Sequence, residues 1–138
     1  RGICCLRPGV AGLSETITVR SIIGRFLEHG RIYVFANGGE FLSDKNIVMI
    51  SSADLMPRNL RRRVECFMRL ENPTIRKQVL HQIMVALLRD EKNAWYLQPD
   101  GSYVHLQTDE TSFSCHEYFM SNPSLSGLGS LAATQDNG

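Results

Sequence analysis

Residues 31–50 read RIYVFANGGEFLSDKNIVMI and carry the strongest strand signal in the chain. The segment 31–35 is rich in β-branched and aromatic residues, which favour strands. Asn37-Gly38-Gly39 comes next, and an Asn-Gly pair is typical of a tight turn between antiparallel strands. A second apolar run occupies 47–50. The sequence therefore predicts a β-hairpin whose connection is somewhat long.

Weaker strand signals stand on both sides of this hairpin. An apolar alternation around 17–23 predicts a strand that Gly24 ends, followed by a turn or a single helical turn at 25–29. Pro99-Asp100-Gly101 is a turn signal between two short apolar runs, so a second hairpin is expected there. The other predicted strands are 2–6 and 63–68, with 95–97 and 103–106 as the arms of the second hairpin.

The clearest helix signal begins at Asn72, a favourable N-cap residue, with Pro73 suited to the first helical position. Apolar residues then recur with helical spacing along one stripe. They are Ile75, Val79, Leu80, Ile83, Met84, Leu87 and Leu88. A shorter helix is predicted within 113–120. A majority of strands with one dominant helix packed on a sheet predicts the α+β class in a single domain.

Length and composition are those of one globular domain, with 138 residues, 43% of them hydrophobic and 21% charged. The sequence shows neither an apolar run of transmembrane length nor a signal-peptide pattern. Arg1 leads directly into the predicted strand at 2–6, so we expect a fragment of a longer chain. The segment 121–138 is rich in Ser, Gly and Asn, which predicts a largely disordered tail.

Cysteine and histidine spacing predicts neither a disulfide nor a metal site. Cys4 and Cys5 are adjacent, and no C-x-x-C pair occurs. We therefore expect buried thiols in a reducing cytoplasm. Three histidines have no ligand partner at suitable spacing, and no metal ligand is assigned. They are His81, His105 and His116.

Charge is distributed unevenly along the chain. Eleven of the fifteen Lys and Arg residues lie in 1–69, where only six of the fourteen Asp and Glu residues occur. Ten of those eleven are arginines, whose planar guanidinium groups match phosphate oxygens. The imbalance indicates either an anion site or an ordinary solvated basic face.

His29 is the first candidate for chemistry, in Glu28-His29-Gly30-Arg31 just before a predicted strand. A histidine can attack a phosphoryl group or exchange a proton near neutral pH. Alternation along an extended segment puts Arg31 on the same side, where its charge would hold a phosphate. A surface histidine beside a charge is the alternative interpretation.

The second candidate is the segment 51–59, SSADLMPRN, directly after a strand. Its hydroxyl, guanidinium and amide groups can bind phosphate oxygens together with backbone N–H groups. In the alternative interpretation, Asp54 or Ser52 is simply the N-cap of a helix. Both interpretations can hold, because a helix N-terminus also attracts anions.

The run Arg61-Arg62-Arg63 usually indicates a solvated face. If 62–68 is a strand, alternation places Arg61, Arg63 and Glu65 on one side of it. Glu65 could then serve in a buried ion pair with an arginine.

Four blocks of the sequence resemble the last C-terminal domain of the polyphosphate kinase family, in that family's order and at nearly its spacing. They are RGICCLRPG at 1–9 with GLSE at 12–15, IIGRFLEHGRIY at 22–33, FANGG at 35–39, and SSADLMPRNL at 51–60 with RRVE at 62–65. A weaker match follows in AWYLQPDGSY at 94–103. The resemblance covers 1–120 and leaves out the predicted tail.

The resemblance implies a phospholipase-D-like mixed β-sheet with flanking helices, in an enzyme that reversibly transfers the terminal phosphate of ATP to polyphosphate with Mg²⁺. It also implies a phosphohistidine in a preceding domain outside this chain, so the isolated fragment is expected to be inactive. His29 matches the family's second histidine, at the nucleotide phosphates, and is the expected catalytic residue. The implied ATP- and phosphate-binding residues are Arg1, His29, Arg31, Ser52, Arg58 and Asn59.

Two departures from the family pattern stand near the hairpin: a longer link at 40–46, and Leu55 at a position that is often Trp. The implied partners are ATP, ADP, inorganic polyphosphate and the other domains of the same polypeptide, without nucleic acid. The resemblance further implies a homo-oligomer and a cytoplasmic location, with a peripheral place at the membrane as a variant.

Two other functions stay open at this point. A non-catalytic module could bind polyanions such as nucleic acid or polyphosphate through the basic half, although the aromatic interleaving of single-strand binders is missing. A phosphodiesterase of the phospholipase D type normally needs two His-x-Lys motifs, and this chain has one variant motif, His29-x-Arg31 followed by 51–59.

Overall fold

The computed structural model describes residues 6–122, which fold into two compact units. Within the described residues, unit 1 comprises 6–28 and 87–122, and unit 2 comprises 29–86. The expected α+β class is confirmed, and the strands are divided between two three-stranded antiparallel sheets. The predicted strand at 2–6 and the predicted tail at 121–138 lie outside the described residues, apart from Leu6, Ser121 and Asn122.

In chain order the strands are β1 Arg20–Ile22, β2 Ile32–Phe35, β3 Ile47–Ser51, β4 Phe67–Arg69, β5 Ala94–Leu97 and β6 Tyr103–His105. The helices are α1 Pro57–Arg62, α2 Pro73–Gln78, a π-helical segment Val79–Met84, α3 Val85–Arg89 and α4 Cys115–Ser121. Unit 1 holds the sheet β1-β5-β6, and unit 2 holds the sheet β2-β3-β4.

The hairpin predicted from 31–50 organises unit 2. Strands β2 and β3 pair with Val34 opposite Val48. Asn37 and Gly38 both have positive φ, 52° and 72°, and the Gly39 N–H donates to the carbonyl of Ala36, three residues earlier, at 3.0 Å. Positive φ at both central residues is the geometry that matches the twist of paired strands, and Asn-Gly adopts it at little cost.

Apolar side chains form the core of unit 2. Val48, Leu70 and Leu80 are buried together, from β3, from the residue after β4 and from the π-helical segment. Burying such side chains is the main favourable contribution to folding. Partly buried residues surround this cluster: Ile32, Val34, Leu42, Ile50, Val79 and Met84.

The dominant helix starts as predicted but changes its winding. The Asn72 side chain accepts hydrogen bonds from the N–H groups of Thr74 and Ile75, which confirms the N-cap. The π-helical segment then shifts the buried face, because a π turn holds more residues than an α turn. The predicted apolar stripe is therefore wrong for its two ends, Ile75 and Leu88, which are exposed.

The helix α1 begins at Pro57, later in the chain than a helix capped by Ser52 or Asp54 would begin. Its N-cap is Met56, without a side-chain hydrogen bond, so neither Asp54 nor Ser52 caps it and that alternative is wrong. The reason is Pro57 at the first helical position, since a proline forces the preceding residue into the extended conformation. Met56 has φ −120° and ψ 148°, as this rule requires.

The strand predicted at 63–68 is shorter than expected, because β4 begins only at Phe67. Arg61 and Arg62 belong to the last turn of α1, so the alternation expected for these arginines is wrong. The Cys66 N–H donates to the Ser52 hydroxyl instead of a carbonyl, which interrupts the ladder just before β4. The expectation of a buried thiol is wrong for Cys66, which is exposed. The strand β4 that follows it is exposed along its whole length.

Unit 1 contains the second predicted hairpin. Strands β5 and β6 pair antiparallel, and the Gly101 N–H closes the turn onto the Gln98 carbonyl at 2.9 Å. The short helix expected within 113–120 is present as α4, whose N-cap Ser114 accepts from the Glu117 N–H. Cys115, at the start of α4, is buried as expected. Among residues 6–122, no helix is long and apolar enough to cross a membrane.

Candidate functional site

Arg31 links the two segments that carry the candidate residues of unit 2. Its Nε donates to Oδ1 of Asp54 at 2.8 Å, and its Nη1 donates to the His29 carbonyl at 3.1 Å. Asp54 lies in the connection between β3 and α1, while His29 and Arg31 lie just before β2. The guanidinium therefore joins the His29-x-Arg31 motif to the 51–59 segment.

Positive charge surrounds the Asp54 carboxylate. The hydrogen bond from Arg31 is the largest cause that lowers the pKa of Asp54, and the charges of Arg58 and His29 lower it further. The same contact raises the pKa of Arg31. Opposite charges at this distance favour the ionised form of each partner. Three of the predicted phosphate-binding residues thus lie near one negatively charged group.

Glu65 is the centre of a second group of polar side chains. Its carboxylate accepts from the Ser52 hydroxyl and from Nδ2 of Asn59, the latter at 2.8 Å. The hydrogen bond from Ser52 is the largest cause that lowers the pKa of Glu65, followed by that from Asn59. Arg63 and Arg31 add smaller effects through their charge. The ion pair expected for Glu65 is replaced by bonds to a hydroxyl and an amide.

The structure brings five of the six predicted binding residues into unit 2 and divides them between two carboxylates. His29, Arg31 and Arg58 lie around Asp54, whereas Ser52 and Asn59 contact Glu65. These side chains differ in exposure: His29, Ser52 and Arg58 are exposed, and Asn59 is buried. Arg1 lies outside the described residues.

The sequence indicates Asp54 only as a possible helix cap, and its contact with Arg31 is visible only in the structure. The available signal was a carboxylate placed between Ser52 and Arg58, in a segment already proposed to bind anions. Its partner Arg31 is 23 residues away, and no local pattern reports a contact over that separation.

Unit 1 contains a cluster that sequence spacing did not indicate. The potential ligand atoms of Glu28, Cys115 and His116 lie within 4.8 Å of one another. His116 is buried, its Nε2 pairs with the Glu28 carboxylate, and its Nδ1 has no partner within residues 6–122. Burial is the largest cause that raises the pKa of the Cys115 thiol, and Asp90 adds to it. The Cys115 thiol therefore ionises less readily than that of an exposed cysteine.

The comparisons with known proteins match the region that contains both groups. The family model described as "Polyphosphate kinase C-terminal domain 2" matches residues 1–116. The chain belongs to this family. The match covers every predicted binding residue, including Arg1.

Individual relatives agree with the family match. A polyphosphate kinase of Erythrobacter litoralis is 59% identical over 129 residues, which cover 94% of this chain and 18% of that protein. One from Synechocystis is 56% identical over 104 residues, covering 75% of this chain and 14% of that protein. The crystal structure of polyphosphate kinase from Porphyromonas gingivalis is similar with a TM-score of 0.74 and 34% identity, over 85% of this chain and 17% of that one. The chain thus spans less than a fifth of each of these relatives.

Proposed function

We propose that unit 2 forms the nucleotide- and polyphosphate-binding side of the active site in a polyphosphate kinase, which reversibly transfers the terminal phosphate of ATP to polyphosphate. One observation carries the proposal: Arg31 contacts both the Asp54 carboxylate, at 2.8 Å, and the His29 carbonyl, at 3.1 Å, which joins the His29-x-Arg31 motif to the segment that contains Arg58. Guanidinium groups carried by neighbouring segments suit the oxygens of a phosphate group. Membership in the polyphosphate kinase C-terminal family supports a phosphorylated substrate.

Phosphoryl transfer depends mainly on positioning and on neutralising the charge of the transferred group. In the proposed site, Arg31 and Arg58 hold phosphate oxygens through their guanidinium groups. His29 contacts the phosphates of the nucleotide and can give or take a proton near neutral pH. The hydroxyl of Ser52 and the amide of Asn59 line the same segment. Arg1 completes the proposed set.

Magnesium has no good resident site among residues 6–122. Mg²⁺ prefers several oxygen ligands. The Asp54 carboxylate, however, is bound to Arg31, and the Glu65 carboxylate is bound to the Ser52 hydroxyl and the Asn59 amide. The cluster of possible metal ligands in unit 1 includes a thiol and an imidazole, which suit zinc-like ions instead. The described residues therefore do not fit Mg²⁺, and we propose that it comes with the nucleotide phosphates.

The phosphohistidine of the proposed reaction would be supplied by part of the enzyme outside residues 1–138. The relatives named polyphosphate kinase are more than five times as long as their matched segments, which leaves room for it. We accordingly propose that this chain alone does not synthesise polyphosphate. ATP-dependent synthesis by the isolated chain would contradict this part of the proposal.

A crystal structure of the full-length enzyme with a non-hydrolysable ATP analogue would test the proposed site. We expect a phosphate group within hydrogen-bond distance of Arg31 and Arg58, with His29 in contact with it. A nucleotide whose phosphates contact none of these three residues would overturn the proposal.

A polyanion-binding module is the second candidate, favoured by the exposed Arg61 and Arg62 at the end of α1. Such binding would be strongly salt-dependent and would not discriminate between phosphate polymers. Titration of the chain with polyphosphate and with DNA of equal charge separates the two functions. Equally tight binding to both would favour the module, and preference for polyphosphate would favour the kinase site.

A further inference from the structure

Asp54 lies outside the proposed set of binding residues, yet its carboxylate is the group that Arg31, Arg58 and His29 have in common. We propose that Asp54 is a positioning residue for the phosphate site. Its carboxylate orients Arg31, and Arg31 in turn holds the backbone at His29. Its negative charge also weakens the binding of phosphate groups, so that product can leave. This inference rests on the proposed function.

The backbone on which Asp54 stands is held by several hydrogen bonds. The Asp54 carbonyl accepts from the Met56 N–H at 2.8 Å. The preceding residue, Ala53, is fully buried, and its carbonyl accepts from the Tyr33 hydroxyl at 3.2 Å. The Ala53 N–H donates to the Ser51 hydroxyl at 2.9 Å. Asp54 therefore offers its carboxylate from a rigid support, as a positioning group must.

The contact with Asp54 determines how Arg31 presents its remaining donors. A guanidinium group is planar and rigid, so binding two of its nitrogens fixes the direction of the third. Asp54 holds Nε at 2.8 Å, and the His29 carbonyl holds Nη1 at 3.1 Å. Within residues 6–122, the hydrogen bonds of Arg31 leave Nη2 available for a phosphate oxygen.

The same contact also fixes the backbone at His29. The Arg31 Nη1 bond reaches the carbonyl of the very residue whose imidazole is proposed to contact the nucleotide. His29 itself is exposed, so few other contacts hold it in place. Misplacing a catalytic group by about 1 Å can reduce the rate about a hundredfold. Losing the Asp54 contact is therefore expected to lower kcat.

The charge of Asp54 has the opposite effect on binding. Its carboxylate faces the same cations that a phosphate group would face, so the two negative groups repel each other and compete for Arg31. A neutral side chain at this position removes the repulsion. The expected result is tighter ground-state binding of ATP together with slower turnover. A variant that simply unfolds would not bind ATP more tightly, and it would not lower kcat while leaving KM unchanged or lower.

The Arg31–Asp54 pair is also a poor candidate for a purely structural role. The side chains are 27% and 38% exposed, and exposed ion pairs contribute little to stability. Asp44 provides a matched control in the same unit, because it also lies near two cations, Arg76 and Lys77, and is 80% exposed. It has no contact with the candidate site residues in the described part of the chain.

The test measures kcat, the KM for ATP and the thermal midpoint in the full-length enzyme. For Asp54→Asn, we expect kcat to fall about tenfold to a hundredfold, with KM for ATP unchanged or lower. Arg31→Lys cannot reproduce the Nε and Nη1 bonds and should lower kcat to a similar extent. The double variant should be no slower than the worse single variant, because both changes break one chain of contacts. Asp44→Asn should behave as wild type.

Three kinetic results would overturn the inference: kcat of Asp54→Asn within twofold of wild type, a raised KM with unchanged kcat, or additive losses in the double variant. A lowered thermal midpoint that accounts for the lost activity would overturn it as well. His29→Ala separates this failure from that of the proposed function. If His29→Ala abolishes turnover while Asp54→Asn keeps kcat within twofold of wild type, only the role of Asp54 is refuted, whereas normal turnover in His29→Ala refutes the proposed site itself.

Discussion

Unit 1 and unit 2 each contain a three-stranded antiparallel sheet, but they use charged side chains in different ways. In unit 2, apolar residues such as Val48 and Leu80 fill the core, and the ionic groups of the candidate site are partly or fully exposed. In unit 1, the carboxylate of Asp90 is completely buried, and the buried His116 pairs with Glu28. The same residue types are therefore solvent-accessible at the candidate site of unit 2 and buried in the interior of unit 1.

The two aspartates, Asp54 and Asp90, show the difference most clearly. The pKa of Asp54 is lowered chiefly by Arg31, and the pair stays accessible to solvent. For Asp90, burial alone would raise the pKa, but hydrogen bonds from Asn93 and Cys115 outweigh it and the pKa is lowered. A carboxylate saturated by neutral donors has no capacity left for a ligand. The carboxylate of Asp54 occupies only the Nε of Arg31, and the guanidinium keeps a further donor for an anion, so we expect function in unit 2 and stability in unit 1.

The largest expected effect concerns His29 in the full-length enzyme. Replacing it with alanine should lower kcat by about 10²–10⁴-fold, because a positioned acid–base group is lost from the phosphate site. The thermal midpoint should stay unchanged, since His29 is exposed. His105→Gln in unit 1 is the control, because that side chain packs on Trp95 and should leave turnover intact. Near-normal turnover of His29→Ala would contradict the expectation that unit 2 contains the functional site.

Leu80→Ala tests the apolar core of unit 2. The side chain is 2% exposed, and its truncation should lower the free energy of unfolding by about 3 kcal/mol through lost burial and the cavity left behind. Leu88→Ala on the same helical stretch is the matched control, since Leu88 is 47% exposed and should cost less than about 1 kcal/mol. Urea denaturation measures both. Equal losses would mean that the π-helical segment does not shift the buried face.

Asp90→Ala tests the polar interior of unit 1. It should lower the free energy of unfolding by about 2 kcal/mol, because the buried N–H groups of Asn93 and Cys115 lose their acceptor. Those two bonds measure 2.7 and 2.8 Å. Urea denaturation at neutral pH gives the value. A loss no larger than that of an exposed aspartate such as Asp44 would contradict the comparison.

The contribution of Asp90 should also depend on pH. Its folded-state pKa is below the unfolded value of about 3.9, so the stabilisation is fully present above that unfolded pKa and disappears as the pH falls through the folded one. The stability difference between wild type and Asp90→Asn should therefore shrink as the pH falls below about 4. A difference that grows on acidification would show that the pKa of Asp90 is raised.

The smallest expected effect is in the turn of the first hairpin. Gly38 has φ +72°, and alanine there should cost about 1 kcal/mol although nothing lies within 4 Å of the added carbon. Gly30 is the control: it also has open space, but its φ is not in the positive range, so Gly30→Ala should change stability little. Thermal unfolding of the two variants compares them directly. Equal midpoints would indicate that the turn adapts without strain.

Much of the fold follows from local sequence, and the failures have specific causes. The turn at Asn37 and the cap at Asn72 were predictable, since each depends on residues next to it in the chain. The start of α1 was missed because Pro57 outweighed the capping residues before it. The late start of the strand predicted at 63–68 depends on the Ser52 hydroxyl, 14 residues away from Cys66. The π-helical segment has no signal in the apolar pattern.

For the candidate site, the sequence indicates the residues but not their partners. His29, Arg31 and Arg58 were identified as an anion site, and their common neighbour Asp54 was considered only as a cap. Asn59 was predicted to bind phosphate, and the structure shows that its amide also holds Glu65. The roles of these residues toward phosphate stay predictions. What the structure adds is which carboxylate each of them faces.

The sequence by itself determined the hairpin turns, the helix N-cap at Asn72 and membership in the polyphosphate kinase C-terminal family, because each depends on short segments of the chain. Only the tertiary structure decided that Arg31 contacts Asp54 and that His116 pairs with Glu28, 88 residues away. Backbone conformation depends largely on neighbouring side chains, whereas the environment of a charge depends on everything that folding brings near it. For this reason the candidate residues could be named in advance, and their electrostatics could not.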